Sequence, residues 1–401
     1  MDNLRLLQDL DVSNKTVIVR VDLNVPVLNG KIVDDIRLKK ILPTLEYLLL
    51  RNAKIVLISH FGRPKGKFVS EMSLKFLVHP LSEMLQGKKV HFVENYIEKE
   101  AEQFINSCQN GDIILMENLR FYPGETSNEA NFVEKLARLG QIYINDSFSC
   151  SHREHASIVG LAQKLPSAAG LLLHEEIKNL QSFWKNAHTP IMAVVGGAKI
   201  STKLELLYQL LEKVNILVIG GAMANSFLKA EGLNIGKSLY EENLLEEARN
   251  IVFKANKLGC NLILPIDVVI ADSIDLGHTS RMVDVEYVDN NSVIADLGPK
   301  TVEMIKTQIK YAKSLVWNGP LGAFEYPPFE QATVMVAKEV VQATTDSNLL
   351  SLAGGGDILA ALKNEKLAEG FSYISTGGGA FLEWLQGDKL PGIEVLYNNV
   401  C

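Results

Sequence analysis

Short apolar runs alternate with amphipathic stretches along the whole chain. TVIVRV (16–21), KIVLIS (54–59), KVHFV (89–93), DIILM (112–116) and QIYIN (141–145) read as strands. The stretches between them, such as 37–51, 73–86 and 127–139, carry apolar residues at helical spacing. The alternation resumes with IMAVVG (191–196), NILVIG (215–220), NLILP (261–265), SLVWNG (314–319), NLLSLAG (348–354) and FSYIST (371–376). Near-continuous Val, Ile and Leu within each run require burial on both faces, which helices packed on a parallel sheet provide. So many strands exceed what one compact sheet carries. The expected fold is α/β, with two doubly wound, parallel-sheet, Rossmann-like domains.

The boundary belongs between the fifth and sixth of these runs. There LPSAAGLLLHEEIKNLQSFWKNAHTP (165–190) opens with Pro and Gly, continues as a long helix, and stops before Pro190. A helix joining two domains is a natural place for a hinge. The expected division is 1–170, then 171–385 opened by a hinge helix of about 171–187, then a tail of 386–401 too short to fold alone. Residues 266–297 lack helical period and read as a β-rich insertion.

At 401 residues the chain is long enough for two or three domains, and no apolar run reaches membrane-spanning length. The opening MDNLRLLQDLDVSNK lacks the basic-then-apolar layout of a signal peptide. Cys108, Cys150, Cys260 and Cys401 show no metal or redox spacing, so a reducing cytoplasm is expected. Residues 1–170 hold 21 Lys and Arg against 20 Asp and Glu; the totals of 40 and 47 leave 19 against 27 for the remainder. An acidic chain argues against general nucleic-acid binding, yet its first half retains enough cations for a local anion site.

In parallel sheets, ligands bind beyond the carboxyl ends of the strands. The loops RVDLNVP (20–26), SHFGRPKG (59–66), ENLRF (117–121) and NDSFSCSHREH (145–155) follow strands of the first half. With Arg37, they bring Arg63, Arg120, Arg153, His60 and His152 to one rim. Each alone reads as a solvated surface group, but six at equivalent strand ends point to a shared anion site. Arginine suits phosphate and carboxylate because its fork donates two parallel hydrogen bonds. Asp22 and Asn24 could orient a hydroxyl of the same ligand.

The second half places glycines at its strand ends instead: GGAK (196–199), GGAMA (220–224), WNGPLGAFE (317–325), AGGGD (353–357) and STGGGA (375–380). Such turns present backbone N–H groups to an anion, and several along one edge point to a nucleotide laid across the sheet. Asp357 is placed either to hold Mg²⁺ or to cap a helix. No P-loop, GxGxxG, HExxH or Ser-His-Asp grouping is present, which argues against a P-loop NTPase or a nicotinamide dehydrogenase. Many cations without a clear general base fit an acceptor that is already ionised, such as a carboxylate.

Taken in order, RVDLNVP, SHFGRPKG, ENLRF, SHREHAS, GGAKIS, GGAMANSFL, LPIDVV, DLGPKT, WNGPLGAFE, GGGD and STGGGA resemble the phosphoglycerate kinase family from residue 20 to residue 380. The resemblance implies a two-domain hinge enzyme of glycolysis and gluconeogenesis. It would move a phosphoryl group between 1,3-bisphosphoglycerate and MgADP, giving 3-phosphoglycerate and MgATP. Asp22, Asn24, Arg37, His60, Arg63, Arg120 and Arg153, with His152 beside them, would form the phosphoglycerate site in the first domain. Lys199 and Lys203 would contact nucleotide phosphates, with Lys199 reaching the transferred group. Gly197, Gly221 and Pro320 would border adenine, Asn318 would lie near the phosphates, and Glu325 would bind the ribose. Gly354, Gly355 and Gly356 would line the phosphate path and Asp357 would hold magnesium. N–H groups at Gly355, Gly356, Gly378 and Gly379 would face the phosphoryl in flight, so Arg37, Lys199, Gly355 and Gly378 form the expected catalytic set. The tail would pack on the first domain, and the enzyme is expected to be a cytoplasmic monomer with no membrane or nucleic-acid partner.

Several positions depart from the family's usual pattern. Ser147, Ser149 and Ser151 replace small residues, with little effect expected. Thr202 stands where Asp is usual, Ile358 where Thr is usual, and Phe381 where a small residue is common, which bears on nucleotide or metal affinity. Two ligand sets on two domains also imply closure before in-line transfer. Small-angle scattering should therefore record compaction when both substrates saturate the protein; an unchanged radius of gyration would exclude a hinge-closing cycle.

Overall fold

The computed structural model describes residues 4–95, 99–275, 277–346 and 349–397; Asn348 of the NLLSLAG run and Cys401 lie outside them. The chain forms two compact units, one of Met1–Lys178 with Lys389–Cys401, the other of Asn179–Asp388. The division falls within the helix Leu171–Asn186.

The first unit is built on a six-stranded parallel sheet: β1 (Thr16–Arg20), β2 (Lys54–Ile58), β3 (Val90–Val93), β4 (Ile113–Met116), β5 (Ile142–Asn145) and β6 (Ser167–Ala169). Their order across the sheet is β3-β4-β2-β1-β5-β6, so the winding direction reverses beside β1. Val17, Val19, Ile55, Leu57, Ile113 and Leu115 point to one face. There they meet Leu38, Ile41, Leu45 and Leu48 of the helix Ile36–Leu49. Strand β6 comes from LPSAAG, which the apolar pattern assigns to the linker. Its small residues carry no strand signature; the register Tyr143↔Ser167 to Asn145↔Ala169 makes it one. The stretch 73–86 divides into a 3₁₀ turn, Leu74–Leu77, and a short helix, Val78–Met84. The C-terminal segment joins this unit: Gly392 N–H donates to Ser151 O at 2.8 Å, and Asn145 Nδ2 donates to Gly392 O at 3.1 Å.

The second unit repeats the architecture. Strands β7 (Ile191–Val195), β8 (Ile216–Ile219), β9 (Asn261–Ile263), β13 (Ser314–Asn318), β14 (Leu350–Gly354) and β15 (Tyr373–Ser375) run parallel in the order β9-β8-β7-β13-β14-β15. The insertion forms a three-stranded antiparallel sheet of β10 (Asp267–Ala271), β11 (Arg281–Asp284) and β12 (Val293–Leu297), with β10 central. Met192, Val194, Leu315 and Trp317 pack against Ile305, Ile309, Val336 and Val340 of two flanking helices. Among the described residues no helix is long and apolar enough to cross a membrane.

The winding of this second sheet reverses between β7 and β13, and there the two backbones touch. Gly196 N–H donates to Asn318 O at 2.9 Å, and a Cβ on Gly196 would lie far inside contact distance of the Pro320 carbonyl. A backbone neighbour cannot rotate away, so Gly196→Ala should cost about 2–4 kcal/mol. Gly356 has open space around a Cβ and an ordinary φ, so Gly356→Ala should stay within about 0.5 kcal/mol of the parent. Urea unfolding of both variants checks this, and equal midpoints would contradict it.

Candidate functional site

At the switch point of the first sheet, the loop after β1 turns back on itself. Asn24 N–H donates to Asp22 Oδ1 at 3.0 Å, and Asn24 Oδ1 accepts from Gly62 N–H at 2.9 Å, which ties this loop to the one after β2. The helix Ile36–Leu49 starts one residue before Arg37, so the guanidinium returns to the loop. Its Nη1 lies 3.1 Å from Asp22 Oδ2 and donates to Asn24 O at 2.6 Å. From the loop after β5, Ser149 Oγ donates to the same Asp22 oxygen at 2.5 Å. Burial pushes the Asp22 carboxyl up, but Arg37 and these hydrogen bonds outweigh it and bring it down to about 2. Ser149, one of the serine replacements, thus shares one carboxylate oxygen with Arg37.

Asn118 locks the loops after β2 and β4 together. Its side chain accepts from Phe61 N–H at 3.1 Å and Arg120 N–H at 3.0 Å, while Nδ2 donates to Phe61 O at 2.7 Å and Met72 O at 3.0 Å. Arg120 is thereby buried, with Nη1 donating to Gly62 O at 2.7 Å. Burial and the nearby Arg153 lower its affinity for the proton, yet a guanidinium stays charged. Arg63 is exposed, and Arg153 is half-buried with its Nε donating to His152 Nε2 at 3.2 Å. The His152 imidazole is pushed down to about 4 by burial and by Arg153, so it is neutral near pH 7 and adds no positive charge to the rim.

Arg20, the first residue of RVDLNVP, has no part in the rim that the loop motifs lead one to expect. It is buried at the end of β1, beneath the rim. Its Nε donates to Ser157 Oγ at 3.1 Å and Nη1 donates to Val21 O. Nη2 lies 3.1 Å from His60 Nδ1 and donates to Cys150 Sγ at 3.4 Å. A guanidinium can only donate, so Nδ1 of His60 is the acceptor and the ring proton sits on Nε2. Arg20 thus sets the face that His60 offers an anion. A charged residue ending an apolar strand was the available signal.

In the second unit, a cavity of about 410 Å³ opens at the carboxyl edge of the sheet and brings Gly197, Gly221, Pro320, Glu325 and Asp357 together. Gly197 and Gly221 have φ of +135° and +68°, and a Cβ on Gly221 would fall 2.6 Å from the Gly197 backbone. Lys199 lies exposed in the turn before the helix Leu204–Leu211, outside the cavity lining, while Lys203 is that helix's N-cap. The Lys203 ammonium is buried and donates to Gly196 O and, at 2.5 Å, to Asn318 Oδ1. Burial pushes it down to about 8, with Asp357 acting in the opposite sense. Asn318 Nδ2 donates to Gly354 O at 2.6 Å, so one amide links the ends of β13 and β14 to Lys203.

Gly355 is the N-cap of the helix Gly356–Asn364, with φ of +115°, which leaves Asp357 in the first turn rather than in the capping position. Its exposed carboxylate beside this glycine turn fits Mg²⁺, which binds through one or two carboxylates and completes its shell with phosphate and water. Gly378, with φ of +55°, caps Gly379–Gln386 in the same way. Of the departing residues, Thr202 donates to Lys199 O at 2.9 Å, Ile358 is buried, and the buried Phe381 ring fills the space a side chain at Gly354 would need.

These two units place the chain in the class of doubly wound parallel α/β proteins. A family model described as phosphoglycerate kinase matches residues 7–388. The chain belongs to the phosphoglycerate kinase family, and membership makes it a kinase. A phosphoglycerate kinase of Cereibacter sphaeroides is 48% identical over 392 residues, spanning 98% of this chain and 99% of that protein. One of Rhizobium meliloti is 46% identical over 393 residues, spanning 98% of each. The solved phosphoglycerate kinase from Coxiella burnetii matches with a TM-score of 0.85 at 39% identity, covering 98% of both chains. That from Pyrococcus horikoshii gives 0.85 at 30% identity, covering 99% of this chain and 100% of its own.

Asp22 carries a pH-dependent part of stability. Its native carboxyl titrates near 2, below the ordinary range, so the contribution is complete above the ordinary carboxylate pKa and disappears as pH falls toward 2. Asp22→Asn should lose about 2 kcal/mol at neutral pH and match the parent near pH 2. Denaturant midpoints across this window check the sign; a loss that grows on acidification would refute it.

Proposed function

We propose that this chain catalyses reversible phosphoryl transfer between 1,3-bisphosphoglycerate and MgADP, giving 3-phosphoglycerate and MgATP, in glycolysis and gluconeogenesis. The carboxyl group of 3-phosphoglycerate is the acceptor in the reverse direction. The observation that carries this reading is the family match over residues 7–388, and both ligand sets fall at the carboxyl ends of parallel strands. The first unit binds the phosphoglycerate and the second the nucleotide. The enzyme works as a cytoplasmic monomer without nucleic-acid or membrane partners.

In this reading, Arg63, Arg120 and Arg153 hold the phosphate of the three-carbon ligand, and the Nε2–H of His60 adds a directed donor. Asp22 and Asn24 accept from its hydroxyl. Gly197, Gly221 and Pro320 border the adenine, and Glu325 accepts from the ribose hydroxyls. Lys203 and Asn318 face the phosphates across the end of β13, where an arriving anion would offset the cost of burying the ammonium. Asp357 would hold Mg²⁺, which would supply charge neutralisation to the phosphates.

The acceptor carboxylate is already ionised, so the chemistry needs no general base and rests on charge and position. Two anions repel, and Arg37 and Lys199 offset that repulsion most strongly where water is excluded. N–H groups at the starts of Gly356–Asn364 and Gly379–Gln386 add dipoles directed at the transferred group. A coupled assay of 3-phosphoglycerate with MgATP tests the activity, and no turnover from folded protein would refute it. Arg37→Ala or Lys199→Ala should lower turnover by about 10²–10⁴, the range of oxyanion donors and arginine fingers. Near-normal turnover in either folded variant would remove that residue from the mechanism.

A further inference from the structure

On the edge of the first sheet, away from the rim, three potential metal ligands converge from an edge strand, a helix end and the turn before β4. His91 is the second residue of edge strand β3, whose register sets it opposite Ile114 of β4. Cys108 directly follows the helix Lys99–Ser107, and Asp112 directly precedes β4. A tight turn holds the last two: Asp112 N–H donates to Gln109 O at 3.1 Å, Gln109 N–H donates to Asp112 Oδ2 at 2.8 Å, and Gly111 N–H is anchored on Ala53 O at 3.1 Å. The ligand atoms of His91, Cys108 and Asp112 all lie within 4.8 Å of one another, and His91 Nε2 is 3.8 Å from Asp112 Oδ2.

We propose that His91, Cys108 and Asp112 form a Zn²⁺ site with a fourth position open to water. Imidazole, thiolate and carboxylate together are a donor set for zinc, whereas Mg²⁺ and Ca²⁺ take oxygen alone. Tetrahedral zinc with bonds of about 2.0–2.3 Å sets its ligand atoms about 3.3–3.8 Å apart. The 3.8 Å histidine–aspartate separation is a few tenths of an ångström above the roughly 3.3–3.5 Å of a nitrogen and an oxygen ligand, and rotation about the Cys108 and His91 side-chain bonds closes the rest. The site has a semi-sheltered wall: the Phe104 ring stands edge-on to His91 at 5.6 Å, and His91 and Asp112 keep 18% and 31% of their side-chain surface exposed. That leaves an entry path without burying an unpaired ion.

Burial and the neighbouring Asp112 push the Cys108 thiol up, while Lys54 and Lys89 act in the opposite sense. Binding therefore exchanges the thiol proton, released to solvent, for the metal–sulfur bond. The ion would pin an edge strand, a helix end and the start of β4 to one another. These lie toward the amino ends of β3 and β4, opposite the carboxyl ends that carry Arg120 and the rim loops, so occupancy is separate from phosphoryl transfer.

Cobalt(II) is the probe, because thiolate ligation gives it a near-ultraviolet charge-transfer band and tetrahedral visible absorption. Titrating the metal-free full chain, reduced with a phosphine, should give both signatures at one equivalent, and Zn²⁺ should displace them. Cys108→Ser should abolish the charge-transfer band with kinase turnover unchanged, and His91→Gln should weaken binding by at least about 100-fold. Absence of the thiolate–cobalt band, or its persistence in Cys108→Ser, would overturn the proposal.

Discussion

A charged group at a buried strand end must be held by partners before any ligand arrives, and at the rim Asp22 does this for Arg37. One carboxylate accepts from the helix through Arg37, from its own loop through Asn24 N–H, and from the loop after β5 through Ser149. Its ionisation survives burial because those partners face it. Arg20 works from below, satisfied by Ser157, the Val21 carbonyl, His60 and Cys150. Arg37 is thus positioned by Asp22 and the Asn24 carbonyl, and Arg120 by the Gly62 carbonyl, before a ligand arrives, a preorganisation that costs nothing further when charge develops.

The second unit meets the same demand differently. Lys203 is buried against uncharged oxygens, the Gly196 carbonyl and the Asn318 side chain, with Asp357 acting only at a distance. A buried ammonium without a paired carboxylate is poised for an incoming anion, and the glycines around it let two strand ends approach closely enough to enclose it. Thr202 turns its hydroxyl to the Lys199 carbonyl, and the Lys203 contacts form with no carboxylate at that position.

Much of this was legible in the sequence. Among the described residues, apolar runs marked eleven of the twelve parallel strands, and the twelfth, Ser167–Ala169, escaped because its residues are small and its strand character comes from pairing with β5. The loops after the strands announced Asp22, Asn24, the arginines and the glycines. What stayed hidden was each group's protonation and partner. His152 reads as a potential cation yet is held neutral by burial and Arg153, Ser149 reads as a size-preserving replacement yet binds Asp22, and Arg20 reads as a strand end yet orients His60.

The sequence by itself determined the two parallel sheets, since runs that apolar have only one stable place, and it determined family membership through the order of its loop motifs. Only the tertiary structure decided which side chains share a carboxylate and which ammonium is desolvated. It also decided that His91, Cys108 and Asp112 meet at one edge. Local pattern is set by burial along a few residues, whereas charge state and ligand geometry depend on neighbours delivered by other strands, whose distance in sequence carries no trace of their distance in space.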